Sequence, residues 1–293
     1  MSLIAQVLAN AISAGGIYAV IAIGYSLIYS VLKFINFAHG EIVMIGAFIG
    51  WTVAVHWHQH LFIATLAAMI CCGLLGFLIE KIVYKPFRKK NKLYVLLTAI
   101  ALSFLLQGIA IVLFGAKVRT FSTGNIIKGH EVFGAVITTT QFIIITVSLI
   151  FVFMILLFIK KTKTGKAIRA VAENQDTAAA VGINVDRIIS IIFILSSMLA
   201  AVSGILIGYE QNINPTMGTM IGIKAFTAAV VGGIGSVPGA FLGGYLIGFA
   251  ENFGILFVPA GYKDAISFVI LLIMLYVKPT GILGKKTEEE VRV

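Results

Sequence analysis

Charge is scarce in this chain. Only 12% of its 293 residues are charged, whereas 59% are hydrophobic and the mean hydropathy is +1.04. A soluble domain of that size could not hide so much apolar surface, so lipid is the solvent for most of it. At about 20 residues per helical crossing, spans consume most of the length and leave no room for a sizeable soluble domain. The apolar runs are continuous and do not alternate, which excludes a transmembrane β-barrel. Cysteine is scarce too: Cys71 and Cys72 are the only two, adjacent within an apolar run. They offer no disulfide framework or metal site and read as small buried side chains. Lys and Arg are missing from the first 32 residues. That removes the basic start of a signal peptide, so the first apolar run is expected to remain as a span.

Acidic residues number 12 against 22 Lys and Arg, for a net charge of +10. In a soluble protein such an excess would suggest nucleic acid. Here the positives lie between apolar runs, and the positive-inside rule accounts for them with no nucleic-acid partner. Phosphate-binding signatures are missing as well. GGIGSVPG (232–239) lacks the Lys and Ser/Thr of a P-loop, and GILGKKT (281–287) has its first glycine at the wrong distance. No nucleophile–base pair or ligand cluster argues for an enzyme. The chain is expected to bind no cofactor and no metal, and to take its energy from a partner.

What is present is a series of apolar runs. Residues 3–32 form one longer than a single span needs, tilted or broken near Gly15-Gly16 or Gly24. Others cover about 38–55, 61–83, 93–114, 141–159 and 188–208. Beyond the neutral turn QNINPTMG, the run 221–233 is short, GGIGSVPG breaks it, and 240–258 and 265–277 follow. The reading is an all-α integral membrane protein with about eight transmembrane helices, some broken or re-entrant. It forms a single transmembrane domain over 1–293, with a polar loop at 115–140 expected to hold a small hairpin from VRTF and AVITTT. Gly239/Gly243 and Gly244/Gly248 repeat the small-xxx-small spacing that lets helices approach closely. Ser196, Ser197 and Ser203 are expected to hydrogen-bond between helices.

Lys and Arg counts set the orientation. With the N-terminus outside, Lys33, the basic turn YKPFRKKNK, the segment 160–187 and the C-terminal tail all fall in the cytoplasm. The outside keeps Lys117, Arg119, Lys128 and Lys263, while Lys224 fits neither side. The loop 115–140 is then external.

The segment Lys160–Arg187, KKTKTGKAIRAVAENQDTAAAVGINVDR, is a polar island between two apolar runs. A turn alone needs far fewer residues. Gly165–Glu173 reads as one short helix. Asp176 has the type and position of an N-cap, Ala178–Val181 follow, and Gly182 suits the left-handed residue that closes a helix. Helices shorter than about 12 residues are marginal in water, so tertiary contact must hold this one. Its methyl-rich surface suits close docking on another protein.

The spacing Asp176-Thr177-Ala178-x-x-x-Gly182 resembles the EAA-x-x-x-G coupling loop of ABC-importer permeases, with Asp for Glu and Thr for the first Ala. AVAENQDTAAAVGINVDRI, the N-terminal GGIYAVIAIGYSLIYSVLKFINFAHGEIVMIGAF and the late AFTAAVVGGIGSVPGAFLGGYLIGFAENF are similar to branched-chain amino acid permeases of the LivH type. The resemblance covers essentially the whole chain, and FINFAHGE is its sharpest part. It implies one membrane subunit of an amino acid importer in the bacterial inner membrane. The implied partners are a second homologous permease, two cytoplasmic ATPase subunits that bind ATP and Mg, and a periplasmic substrate-binding protein. The coupling loop would dock on an ATPase through Gly165, Arg169, Glu173, Asp176, Ala178 and Gly182.

Asn36, His39 and Glu41 within FINFAHGE, and Glu251 and Asn252 in a late run, are the candidates for the substrate pathway, since polar groups at membrane depth usually face a cavity or partner. For the first three, the competing reading is an interfacial position in which Glu41 neutralises Lys33. His56, His58 and His60 read as an interfacial belt with Trp51 and Trp57. The alternative function is an ion-coupled secondary transporter of a small polar solute, for which only Glu41 and Glu251 offer intramembrane carboxylates.

Overall fold

The computed structural model describes residues 3–88, 90–121, 129–132 and 135–284. The charged tail from residue 285, Lys89 and parts of the polar loop (122–128 and 133–134) lie outside the described residues.

No water reaches the middle of a bilayer, so each backbone group there must find its partner within the protein. The chain meets this with long helices: α1 (Leu3–Leu32), α2 (His39–Trp51), α3 (Leu61–Leu78), α4 (Lys92–Phe114) and α5 (Thr139–Lys161). The polar island forms two short ones, α6 (Lys163–Glu173) and α7 (Gln175–Ala180). Then come α8 (Val185–Glu210), α9 (Met217–Gly232), α10 (Val237–Gly254) and α11 (Lys263–Val277). α2 and α3 each finish in a π-helical turn, at Thr52–His56 and Ile79–Tyr84. At helix starts, where N–H groups are free, the side chains of Asn91, Thr138, Thr162, Asn174, Asn184 and Ser236 accept from them. Between α4 and α5, β1 (Gly129–Val132) and β2 (Ala135–Thr138) form the expected hairpin, antiparallel with Gly129 opposite Thr138. VRTF takes no part in it. Arg119 pairs instead with Ile213, in the connection between α8 and α9.

Among the described residues, seven helical stretches are long and apolar enough to cross a membrane, and α9 and α10 qualify only as a pair bent by 118°. Their contacts show how the pair runs. Gly232 lies on Gly239, and Gly243 lies on the Ala228 carbonyl. The two helices therefore fold back on each other as a hairpin. α10 is also antiparallel to α1, with Gly244 on Ala19 and Gly248 on Gly15. The hairpin turn sits near the end of α1, where the Gly235 N–H donates to Ser26 Oγ (2.9 Å). The segment after α11 returns to that turn: the Ile282 and Leu283 N–H groups donate to the Val231 and Gly232 carbonyls at 3.0 and 2.9 Å. The last turn of α9 thus finds protein partners for carbonyls it cannot satisfy itself. The bundle has two ends. The island and the α9–α10 turn mark one; the β-hairpin, where Gln6 on α1 pairs with the Val136 backbone, marks the other.

α1 and α8 form the centre, each with 78% of its apolar window buried, against 22% for α5 and 6% for the span that includes α11. α1 is continuous through Gly15, Gly16 and Gly24, so of the two alternatives, tilt or break, the break does not occur. Those glycines instead make room for Tyr245, Ser148 and His39. Both glycine pairs on α10 serve as expected: Gly239 and Gly243 face α9, while Gly244 and Gly248 face α1. Two smaller expectations need correction. Cys72 is buried, but Cys71 lies exposed on the outer face of α3. Of the three serines on α8, Ser196 bonds across to the Gly24 carbonyl (2.9 Å), whereas Ser203 bonds to Leu199 within its own helix. Ser197 Oγ packs against Gly76 with no polar partner.

A Cβ at Gly244 would lie 2.3 Å from the Ala19 nitrogen. Gly244→Leu should cost about 1–3 kcal/mol or more, because backbone cannot yield as a side chain does. Gly108 on α4 has no such neighbour, and Gly108→Ala should change stability by no more than about 1 kcal/mol. Thermal unfolding of both purified variants in one detergent checks the pair.

Candidate functional site

α2 does not start at the end of the bundle. His39, its first residue, lies against Gly24 of α1 and Ser196 of α8. α1 continues about two turns beyond Gly24 toward the island, and α8 has already risen about three turns to reach Ser196. The connection after Leu32 therefore folds back into the protein. Asn36 holds it there: buried, its Oδ1 accepts from the Ala38 N–H (3.1 Å) and the Tyr84 hydroxyl (2.6 Å). α9 starts inside as well, since Gly218 meets Gly40 while α2 runs on to Gly50 beside Ile205.

Two helix N-termini thus meet within the bundle, and Glu41 stands between them. Its Oε1 accepts from Ser103 (3.1 Å) and Gln107 (3.3 Å) of α4 and from Thr219 (3.0 Å) of α9. Its Oε2 is buried without a partner among the described residues. The first turn of a helix favours a carboxylate, because the unpaired N–H groups carry partial positive charge. Among the described residues Glu41 forms no ion pair with Lys33, and Asn36, His39 and Glu41 are all buried. The three candidates of that string do not converge. Asn36 faces Tyr84, His39 packs edge-on against Tyr25 (4.6 Å), and Glu41 faces α4 and α9.

A second cluster lies toward the β-hairpin end. Glu251 is fully buried, bonded to the hydroxyls of Tyr18 (2.8 Å) and Ser267. Lys224 is 3.1 Å from it and 2.6 Å from Asp264, and Lys263 is 3.9 Å away. Asn252 bonds back to the Gly248 carbonyl (2.8 Å) and offers its Oδ1 to Lys263 at 3.5 Å. Tyr18, Lys224, Lys263 and Asp264 of this cluster line a hollow of about 550 Å³ between α1, the end of α8, α9 and the start of α11. Lys224, which no loop count could place, is thus the ion partner of Glu251. The signal for it was available: a lone lysine in an apolar run needs a carboxylate nearby. A third cluster clamps the island end, where Arg88 pairs with Asp186 and lies 3.7 Å from buried Glu80. Lys85 also bonds Asp186 (2.9 Å), and Ser190 donates to Glu80 (2.8 Å). A second hollow, of about 520 Å³, is apolar; Met69, Met154, Phe158 and Met198 line it between α3, α5 and α8. His56, His58 and His60 are all exposed. Among the described residues, no group of three or more His, Cys, Asp or Glu could hold a metal ion.

The island folds as two capped helices. The cap of α7 is Asn174, which accepts from the Thr177 N–H (2.9 Å), and not Asp176, which occupies the first turn. Both residue types can cap, and the extended backbone at 174 decides between them. Gly182 closes α7 at φ +88°, with the Gly182 and Ile183 N–H groups returning to the Ala179 and Ala178 carbonyls at 3.0 Å each. Gln175 ties the module to α1 by donating to the Val31 carbonyl (2.6 Å). Glu173 faces Lys33, whose ammonium is drawn below the usual lysine range by desolvation while Glu173 pulls the other way. Gly165 and Ala178 are buried, Gly165 directly against the Phe158 and Ile159 carbonyls that end α5. Arg169, Glu173, Asp176 and Gly182 are exposed, and so are Ala179, Ala180 and Val181, the last at 73%.

A membrane bundle with half-buried helix starts, an ion-lined hollow and a docked polar module describes a multi-pass transport permease. A family model for the permease component of the branched-chain amino acid transport system matches residues 7–275. The LivH permease of the high-affinity branched-chain amino acid transport system of Escherichia coli K12 is 38% identical, over 98% of this chain and 97% of its own. BraD of Pseudomonas aeruginosa is 39% identical with the same coverage. Two solved structures share the fold at 17% identity and a TM-score of 0.51: PsaBC from Streptococcus pneumoniae, and an inward-facing ABC transporter of metal-chelate type. They cover 94% of this chain and 93% and 89% of theirs. The chain belongs to the family of branched-chain amino acid transport permeases.

Lys224→Met would leave Glu251 buried beside a weaker set of cations. It should destabilise the protein by about 3–5 kcal/mol, and adding Glu251→Gln should recover part of the loss. Unfolding midpoints of the two single variants and the double variant check this.

Proposed function

We propose that this chain is one of two membrane subunits of an ATP-driven importer of branched-chain amino acids in the bacterial inner membrane. The second is a homologous permease. Two ATPase subunits on the island face hydrolyse ATP with Mg, and this chain carries no catalysis of its own. A soluble binding protein delivers substrate at the opposite face. The island face is the cytoplasmic one, in line with the clustering of Lys and Arg there and an external N-terminus.

The observation that carries this reading is the α6–α7 module. It is too short to stand alone, is tied to α1 through Gln175, and presents the methyl groups of Ala179, Ala180 and Val181 outward. A surface of that shape suits a groove on a partner. Movement of the partner would reach α1 through Gln175 and α5 through the close contact at Gly165. In this scheme Arg169, Glu173, Asp176 and Gly182 contact or shape the docking face, while Gly165 and Ala178 anchor it. Glu41 and the Glu251–Lys224 cluster then lie on helices that part and close as access alternates. Asn36 and His39 hold the start of α2 in place, and Asn252 backs Lys263.

Gly182→Pro removes a donated N–H and demands a negative φ where the chain has +88°. Asp176→Arg puts a cation in the first turn of α7, where the helix dipole disfavours it. Both should abolish ATP-dependent leucine uptake and the stimulation of ATPase activity while leaving insertion and folding intact. Proteoliposomes containing the complete complex measure all of these. Normal coupling in either variant would remove the docking role from the island.

A further inference from the structure

The hollow above the Glu251–Lys224 cluster combines three kinds of surface that seldom meet. It is lined by Lys263, whose ammonium is served among the described residues at long range, by Asn252 at 3.5 Å and Glu251 at 3.9 Å. Lys224, by contrast, makes two shorter ion pairs, with Glu251 and Asp264 at 3.1 and 2.6 Å. Lys263 therefore keeps more donor capacity for a ligand than Lys224 does. Glu210, which ends α8, also lines the hollow; it is attracted by Lys263 but forms no ion pair within 4 Å among the described residues. Ile17, Met220 and Ile221 add an apolar part to a lining that also includes Gln211, Asn212, Asn214 and Thr216.

We infer that this hollow is a subsite for a free α-amino acid with an aliphatic side chain. Its α-carboxylate meets Lys263, its α-ammonium meets Glu210, and its side chain lies on Ile17, Met220 and Ile221. This rests on the amino acid transport proposed above and gives it an address in the chain. The chemistry follows from the charges. A zwitterion is neutral overall, so a site holding one under-used cation and one unpaired anion selects it over either half alone. Beside them Glu251 is already served at shorter range by Lys224, Tyr18 and Ser267, so it competes only weakly for Lys263 at 3.9 Å. The volume of about 550 Å³ is ample for such a molecule and its water. Met217 and Met220 supply a wall that adapts to side chains of differing branching.

The test uses the assembled permease–ATPase complex in lipid nanodiscs and a diazirine analogue of leucine. Illumination should label residues that line the hollow, within 14–18, 207–224 or 260–264, and excess leucine should suppress the labelling. In competition, Lys263→Met should weaken leucine by roughly tenfold or more while leaving leucinamide, which lacks the carboxylate, unchanged. Glu210→Gln should weaken leucine similarly and leave 4-methylpentanoate, which lacks the ammonium, unchanged. A variant that merely distorts the hollow would shift all three competitors together, and that pattern overturns the subsite. So does leucine-suppressible labelling confined to another part of the chain, or no suppressible labelling at all. ATP-driven uptake by the wild-type complex separates the two proposals. Uptake without labelling here removes only the subsite, whereas absence of leucine uptake removes the transport reading itself.

Discussion

Close backbone contact between α1 and α10 is the interaction on which the bundle depends. Lipid tails are as apolar as leucine, so no hydrophobic force drives one helix onto another within a membrane. Contact must come from shape. Gly244 and Gly248 let α10 lie against the backbone of α1 at Ala19, Gly15 and Ala11, and Gly239 and Gly243 do the same for α9. With both faces of α10 occupied in this way, α9 folds back as a hairpin. Its turn reaches the end of α1, and the segment after α11 is held over it. The same closeness brings Tyr18 of α1 to Glu251 of α10.

Buried charge is placed with equal economy of position. Each carboxylate inside the bundle has its partners on other helices. Glu41 is held by α4 and α9, Glu251 by α1, α9 and α11, and Glu80 by α8 and the basic turn. Apart from Glu80 and Arg88 in the turn just after it, these contacts join different helices, so each records a choice of helix arrangement. Such networks are costly when broken and neutral when complete. They suit helices that must adopt one of a few discrete arrangements and not a continuum of loose ones. α2 and α9 both begin inside the protein, leaving polar N-termini where a continuous span would have none.

Much of this was legible in the sequence. Span limits followed from apolar runs because lipid imposes one length scale. The break at GGIGSVPG was legible because glycine permits the positive φ found at Gly233 and Gly235. Gly182 was legible as a helix end for the same reason. What sequence could not give was direction and partnership. Nothing in FINFAHGE says that its three polar side chains diverge, since the residues that draw them apart are Tyr84, Ser196, Ser103, Gln107 and Thr219. Lys224 looked misplaced because its partner Glu251 belongs to the next helix and Asp264 to the one after. The choice of Asn174 over Asp176 as the cap rests on one backbone angle between two suitable residues. Cys71 and Cys72 differ in burial because adjacent helical positions point about 100° apart.

The two ends of the molecule carry different tasks. At one, charged side chains line a hollow, the solute subsite proposed above; at the other, a short helix pair stands on α1 and α5 and offers methyl groups outward. The central claim is that force enters through that pair. The most direct measurement is site-specific crosslinking in the reconstituted complex, with Cys71 and Cys72 replaced by alanine and one cysteine introduced as Val181→Cys. The account predicts a crosslinked adduct between this chain and an ATPase subunit, with a yield that changes when ATP is bound. ATP-driven uptake by a complex in which position 181 never reaches an ATPase subunit would contradict it.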